Sequence, residues 1–174
     1  MPLTAIVLAA GFSRRFGSPK QLFEVDGEPL VRGAARVARA VARTIVVIPA
    51  NALQIRDALR ELDVTIVENA DAAEGIASSI RAGVAACEGD VLLLVCDQPG
   101  VDAMHLRALI ATHSPLAASS YDGTLGVPAF FAARYRDELL ALRGDAGAKR
   151  VLLAHESEVA PAPLRDARDL DVRP

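Results

Sequence analysis

Tryptophan is absent from this chain, and aromatic residues of all kinds make up 4% of it. Alanine is used heavily instead, a composition that points to close helix packing and carries no chemistry of its own. No basic arm and no block of like charges is present: Lys and Arg number 19 against 22 Asp and Glu, a formal net charge of -3. The electrostatic footprint of a nucleic-acid binder is therefore missing, although a local cluster of Arg and Lys could still hold a small anion. Cysteine is scarce as well. Cys87 and Cys96 stand in neither a CxxC nor a Cys/His ligand pattern, and both flank or end apolar segments, where a reduced, buried thiol is expected. Apolar runs such as Val91 to Cys96 have the length of a strand and fall far short of a bilayer span. The first residues lack a positively charged leader, so no signal peptide is expected. Together these absences predict a cytoplasmic protein with no membrane and no nucleic acid among its partners.

What is present is an alternation. The 174 residues suit one compact domain, 1–174, which buries about 70% of its unfolded surface and needs no disulfide or structural metal. Ala5 to Leu8, Thr44 to Ile48, Val64 to Val67 and Val91 to Val95 are continuous β-branched or aliphatic runs, the pattern of strands covered on both faces. Amphipathic stretches lie between them, at Leu30 to Val41, Ala52 to Leu62, Ile76 to Cys87 and Asp102 to His113. Asp102 is a good N-cap, and Val101 with Leu106 has the spacing of a hydrophobic staple. Strand and helix in series predict an α/β domain with a mostly parallel sheet and right-handed crossovers. After residue 115 the pattern loosens into short strand-like pieces, two helices over 134–142 and 148–155, and a polar tail containing Pro161 and Pro163. His105, His113 and His155 fall on or near helices, where solvated or capping roles are expected.

Ligands in such sheets lie beyond the carboxyl ends of the strands, which directs attention to the residues after Leu8, Val67 and Val95. The first reads Leu8-Ala9-Ala10-Gly11, followed by Arg14, Arg15, Gly17 and Lys20. Small residues let backbone N–H groups approach a phosphate chain, and the cations add charge-assisted donors. Five residues separate Gly11 from Gly17 and Lys20 comes late, so neither the P-loop nor the dinucleotide fingerprint is met. The second reads Glu68-Asn69 and then Glu74-Gly75-Ile76-Ala77-Ser78-Ser79, a helix start whose hydroxyls and free N–H groups could hold a ribose or a base edge. The third, Cys96-Asp97-Gln98-Pro99, sets a carboxylate just past a buried strand, where Mg²⁺ can bridge it to phosphates. Later come Gly126-Val127-Pro128, the stretch Gly144 to Arg150, and Asp169-Leu170-Asp171.

The string from Leu8 to Lys20, with its continuation through Gln21, Leu22 and Gly27 to Val31, resembles the signature of the molybdopterin nucleotidyltransferase family, within the glycosyltransferase-A-like nucleotidyltransferases. Phe16 replaces the methionine usual there. The resemblance implies a three-layer sandwich of the Rossmann-like nucleotidyltransferase type. It also implies a reaction, in which the terminal phosphate of molybdopterin, or of its molybdenum-loaded form, attacks the α-phosphorus of a nucleoside triphosphate and pyrophosphate leaves. Arg15, Lys20 and Asp97 become the catalytic candidates. Leu8, Ala9, Ala10, Gly11, Arg15, Lys20, Asn69, Gly75, Ser78, Ser79 and Asp97 become the nucleotide-binding candidates, and Asp97 with Asp171 the ligands of Mg²⁺. The late Asp-Leu-Asp element lacks the Thr-Pro that usually follows, having Val172-Arg173 instead. Ala10 follows the form of the cytidylyl members, whereas guanylyl members carry glycine, so CTP is the expected donor. A molybdoenzyme is the expected client of the product. Guanylyl transfer, another phosphorylated acceptor, and a non-catalytic carrier of nucleotide or cofactor stay open as alternatives.

Overall fold

The computed structural model describes residues 1–11 and 18–168. The chain runs through β1 (Leu3–Leu8), the two-residue strands β2 (Glu24–Val25) and β3 (Glu28–Pro29), α1 (Leu30–Arg39), β4 (Arg43–Pro49) and α2 (Leu53–Ala58). It continues with β5 (Thr65–Asn69), α3 (Ile76–Ala85), β6 (Asp90–Val95), α4 (Ala103–Ala111), β7 (Leu116–Tyr121) and β8 (Thr124–Phe131), and closes with α5 (Arg136–Leu140), α6 (Lys149–Ala154) and β9 (Val159–Pro163). Among the described residues seven strands form one sheet in the order β5-β4-β1-β6-β8-β7-β9, and β2 and β3 form a separate small ribbon. β5, β4, β1 and β6 are mutually parallel; β8 runs antiparallel to β6 and β7, and β9 lies parallel to β7.

The continuous apolar runs are explained by two packed faces. Ile6, Ile45, Val47 and Leu93 turn toward Ala77, Ile80 and Val84 of α3. Val7, Val46, Ile48, Leu92 and Leu94 turn to the other side, where Val31, Ala35 and Ala38 of α1 and Leu106 and Leu109 of α4 cover them. This is the mostly parallel three-layer α/β arrangement that the alternation and the family resemblance imply. Small residues bring the layers close: a Cβ added to Gly83 would stand 2.5 Å from Cγ2 of Ile6.

The helices are shorter than their amphipathic stretches by two to five residues, because turn residues rather than apolar spacing end them. Asp102 caps α4 as its position predicts, accepting from the His105 N–H at 2.8 Å. Two readings need correction. The proline-containing tail is a strand, β9, on the sheet edge; proline is tolerated at an edge because its missing N–H leaves no interior ladder broken. His105 is not a solvated residue. Its Nε2 lies 2.8 Å from Oγ of the fully buried Ser119, whose hydroxyl donates to the Pro128 carbonyl at 2.7 Å, so His105 is the donor of that pair. Half-burial pushes the imidazole pKa down, with the nearby Asp102 carboxylate opposing.

Ser119→Ala is expected to lower stability by about 1–3 kcal/mol by orphaning the His105 donor, read as a fall in urea midpoint at constant m-value. The depressed folded pKa means that the unfolded chain takes up the proton first. The contribution of His105 is therefore complete above about pH 6.5 and declines as the pH falls below it, and a pH series on His105→Gln should lack that decline.

Candidate active site

β1 is paired on both sides by parallel strands, with Leu8 opposite Val47 of β4 and Val95 of β6. The chain returns to opposite sides of β1, so the loops leaving β1 and β6 diverge and open a crevice at their carboxyl ends. Leu8 and Ala9 are spent in building it: the Leu8 carbonyl accepts from the Cys96 N–H at 3.2 Å, and the Ala9 N–H donates to the Val47 carbonyl at 2.8 Å. Ala10 is buried with its methyl in the core on the α3 side. Of the four nucleotide-binding candidates from Leu8 to Gly11, Gly11 is the one that stands exposed, and a Cβ there would meet nothing within 4 Å.

Gln21, unmarked as a site residue in the sequence, holds this turn in place. It is 4% exposed, and its Nε2 donates at 2.8 Å to both the Ala9 and the Gly11 carbonyls. Its neighbour Lys20 is thereby carried to the end of β6, where Nζ lies 2.6 Å from Oδ2 of Asp97. Both partners keep partial exposure, with side chains 14% and 25% accessible. Beside them the Cys96 thiol is pushed up to about 12, by burial first and then by the Asp97 charge. Arg15 and Asp171 lie outside the described residues. Among the described residues no three acidic, histidine or cysteine side chains cluster as a metal site.

Asn69 at the end of β5 and Ser78 and Ser79 in the first turn of α3 are all buried, and Asn69 binds both serines. Asn69 Nδ2 reaches both serine hydroxyls, at 2.9 and 3.0 Å, while its Oδ1 accepts from the Asp71 N–H. Ser78 Oγ in turn donates to the Gly75 carbonyl. The start of α3 is sealed rather than open, since the Ala77 N–H donates to the Gly144 carbonyl and the Ser78 N–H to that of Gly75. Gly75 has φ 124°, and a Cβ there would collide with the Asp145 carboxylate and the Gly144 carbonyl. Glu74 completes the joint: Arg81 binds both its oxygens, the Gly144 N–H adds a third bond, and its pKa falls to about 2. The helix start after β5 and the stretch that begins at Gly144 are thus fastened together.

Residues 5–159 match the family model described as the MobA-like NTP transferase domain. Nicotine blue oxidoreductase of Paenarthrobacter nicotinovorans is 32% identical over 123 residues, 68% of this chain and 60% of that protein. Purine catabolism protein PucB of Bacillus subtilis strain 168 is 31% identical over 107 residues, 58% of this chain and 52% of that protein. The chain therefore spans between half and two thirds of the length of these curated relatives. The solved structure of Rv0371c from Mycobacterium tuberculosis H37Rv superposes with a TM-score of 0.80 at 28% identity, covering 99% of this chain and 94% of that one.

Two outcomes are expected from this geometry. Gly11→Ala should leave the melting temperature unchanged and weaken nucleoside triphosphate binding about tenfold, measured by calorimetric titration. Gly75→Ala should cost about 1–3 kcal/mol in chemical denaturation, because only glycine tolerates that backbone at that approach.

Proposed function

Because the chain belongs to the MobA-like NTP transferase domain family, we propose that it is a nucleotidyltransferase that transfers CMP from CTP to the terminal phosphate of molybdopterin or its molybdenum-loaded form. The observation that carries this reading is the ion pair between Lys20 and Asp97 at the mouth of the β1/β6 crevice. It sets a cation and a carboxylate side by side where phosphates would lie, supplied by two of the three residues that the family resemblance marks as catalytic.

In the proposed reaction an oxygen of the acceptor phosphate attacks the α-phosphorus of CTP, the bond to the bridging α–β oxygen breaks, and pyrophosphate departs with the electron pair. The nucleophile is already an anion, so no residue is required to take a proton from it. What the chain supplies is positioning and charge. Lys20 exchanges the Asp97 carboxylate for the triphosphate, Arg15 adds a second cation, and the exposed backbone at Gly11 gives the phosphates room. Gln21 keeps that backbone in place, and the Asn69-Ser78-Ser79 cluster sets the start of α3 rather than touching the base directly.

The donor set suits Mg²⁺, a hard cation that takes one or two carboxylates and otherwise substrate phosphates and water. Asp97 already accepts a cationic group on Oδ2, and Asp171 is the second proposed ligand. When bound, the metal neutralises the developing charge on the phosphates. Selection of CTP over GTP would act through the Ala10 backbone, since the Ala10 methyl is packed in the core. The same family chemistry on another phosphorylated acceptor, or a carrier role without turnover, remains an alternative outcome of the test. We read residues 1–174 as one cytoplasmic catalytic domain serving a molybdoenzyme.

Pyrophosphate release with Mg²⁺ and molybdopterin should be strong with CTP and weak with GTP or ATP. Asp97→Asn should lower the rate by at least about 100-fold with the melting temperature preserved, a loss of about 2.7 kcal/mol in transition-state stabilisation. Preference for GTP would overturn the base assignment, turnover on other acceptors alone would overturn the molybdopterin assignment, and silence with every nucleotide and acceptor would favour the carrier.

A further inference from the structure

The stretch Gly126-Val127-Pro128 and the buried pair His105–Ser119 play no part in the reaction as described above, and the sheet joins them. β8 pairs with β6 from Val91 opposite Phe131 to Leu93 opposite Ala129, and the pairing stops there although β6 runs on to Val95. Continued in step, it would set Val127 opposite Val95 and Leu125 opposite Asp97. The two strands part at the end of β6 that carries Asp97.

The other edge of β8 holds the cause. Ala118 of β7 stands opposite Ala129, and the next residue, Ser119, stands opposite Gly126, so Val127 and Pro128 have no counterpart on β7. Such a bulge bends its strand, and its backbone polar groups must be met from elsewhere. The Ser119 hydroxyl, fully buried, donates to the Pro128 carbonyl at 2.7 Å, and His105 Nε2 lies 2.8 Å from the same hydroxyl oxygen. A serine hydroxyl both donates and accepts, and the imidazole N–H on its oxygen leaves its own proton for Pro128. A Cβ on Gly126, where the ladder resumes, would collide with the Tyr121 hydroxyl. The bulge is thus fixed at both of its ends, and α4 fixes one of them through His105.

On the opposite face of β8, Leu125 and Val127 are half-buried and pack, as Val95 does, on the α3-side core. β1 and β8 flank β6 on opposite sides. Beyond Val95 the crevice therefore has the Gly11 turn and Lys20 on one side and the bulge on the other. In a phosphoryl-type transfer the attacking and leaving oxygens lie roughly in line on opposite sides of the phosphorus. With the triphosphate held at the Gly11 turn and Lys20, the acceptor phosphate would come from the β8 side. On the transfer reaction proposed above, whatever its nucleotide, we propose that Val127 contacts the acceptor and favours acceptors with an apolar face beside the phosphate. Ser119 and His105 are positioning residues that act through it.

The test separates acceptor from donor. Pyrophosphate release is followed at saturating nucleoside triphosphate and Mg²⁺ with molybdopterin varied, and nucleotide affinity is measured by calorimetric titration, both well below the melting temperature. His105→Leu removes the donor and should raise the acceptor KM about tenfold while nucleotide affinity stays within about twofold. His105→Gln keeps an N–H donor and should bring the acceptor KM back to within about threefold of wild type, and Val127→Ala should lower kcat/KM for the acceptor about tenfold with nucleotide affinity unchanged. A merely structural relay would lower the melting temperature and leave both substrates alone, or shift both together. Either result overturns the proposal, as does a wild-type kcat/KM in Val127→Ala. Those outcomes leave the transferase reading standing, because wild type still turns over. Turnover by wild type on another phosphorylated acceptor alone overturns the molybdopterin assignment, and the same variants are then compared on that acceptor. Silence of wild type with every acceptor overturns the transferase reading and the role of Val127 with it.

Discussion

The double pairing of β1 constrains everything at the crevice. A central parallel strand uses both of its hydrogen-bonding edges, and here the ladders run to the last residue, with Leu8 level with Val47 and Val95. Chain leaving such a strand has no sheet partner left, so its polar backbone must be met by a side chain or by ligand. Gln21 meets the Ala9 and Gly11 carbonyls, and the geometry of that buried amide fixes where Lys20 begins. An ion pair between residues 77 positions apart thus depends on a glutamine one residue from the lysine. The order of cause is sheet, then turn, then glutamine, then charge.

The same logic governs the end of β5. β5 ends at Asn69, whose side chain supplies the hydrogen bonds that the ladder no longer can, to two serines of α3 and to the Asp71 N–H. Gly144 then closes the first turn of α3, and Glu74 ties the joint to Arg81. With its carboxyl held near 2, Glu74 stays charged throughout the pH range in which phosphoryl chemistry is run, so this fastening is insensitive to pH there.

Much of the fold was legible because burial on both faces leaves a signature in single residues: continuous runs such as Val91 to Leu94 are buried on either side. The strand ends were legible for the same reason, and with them the neighbourhood of Lys20 and Asp97. What the sequence could not convey was direction and partnership. Asn69, Ser78 and Ser79 look like ligands because they are polar and adjacent to a strand end, yet polarity does not say whether a group is turned outward or inward, and these are buried against one another. Gln21 has the opposite history. A lone glutamine after a lysine has no spacing rule that reveals two carbonyls ten and twelve residues before it. The prolines of β9 signalled a tail because their meaning depends on whether the strand is interior or edge, which is a property of the sheet order and not of the strand.

Charge at the site must be weighed locally rather than from the whole chain. A protein with net charge -3 repels a triphosphate at long range, but beyond about 10 Å that field is screened at ordinary ionic strength. Inside the crevice, a lysine 14% exposed and an aspartate 25% exposed interact across 2.6 Å with water partly excluded. Neither charge is left uncompensated when the nucleotide is away, which avoids the cost of an isolated buried ion. In the reaction proposed above, an anionic phosphate and a cation arriving together would each take one partner of the pair, so the exchange would conserve the number of favourable contacts while separating Lys20 from Asp97. A phosphate arriving alone would win the lysine and strand the aspartate. On that proposal the pair would favour joint entry of anion and cation over either one singly, a preference built from two side chains and requiring no movement of the sheet that holds them.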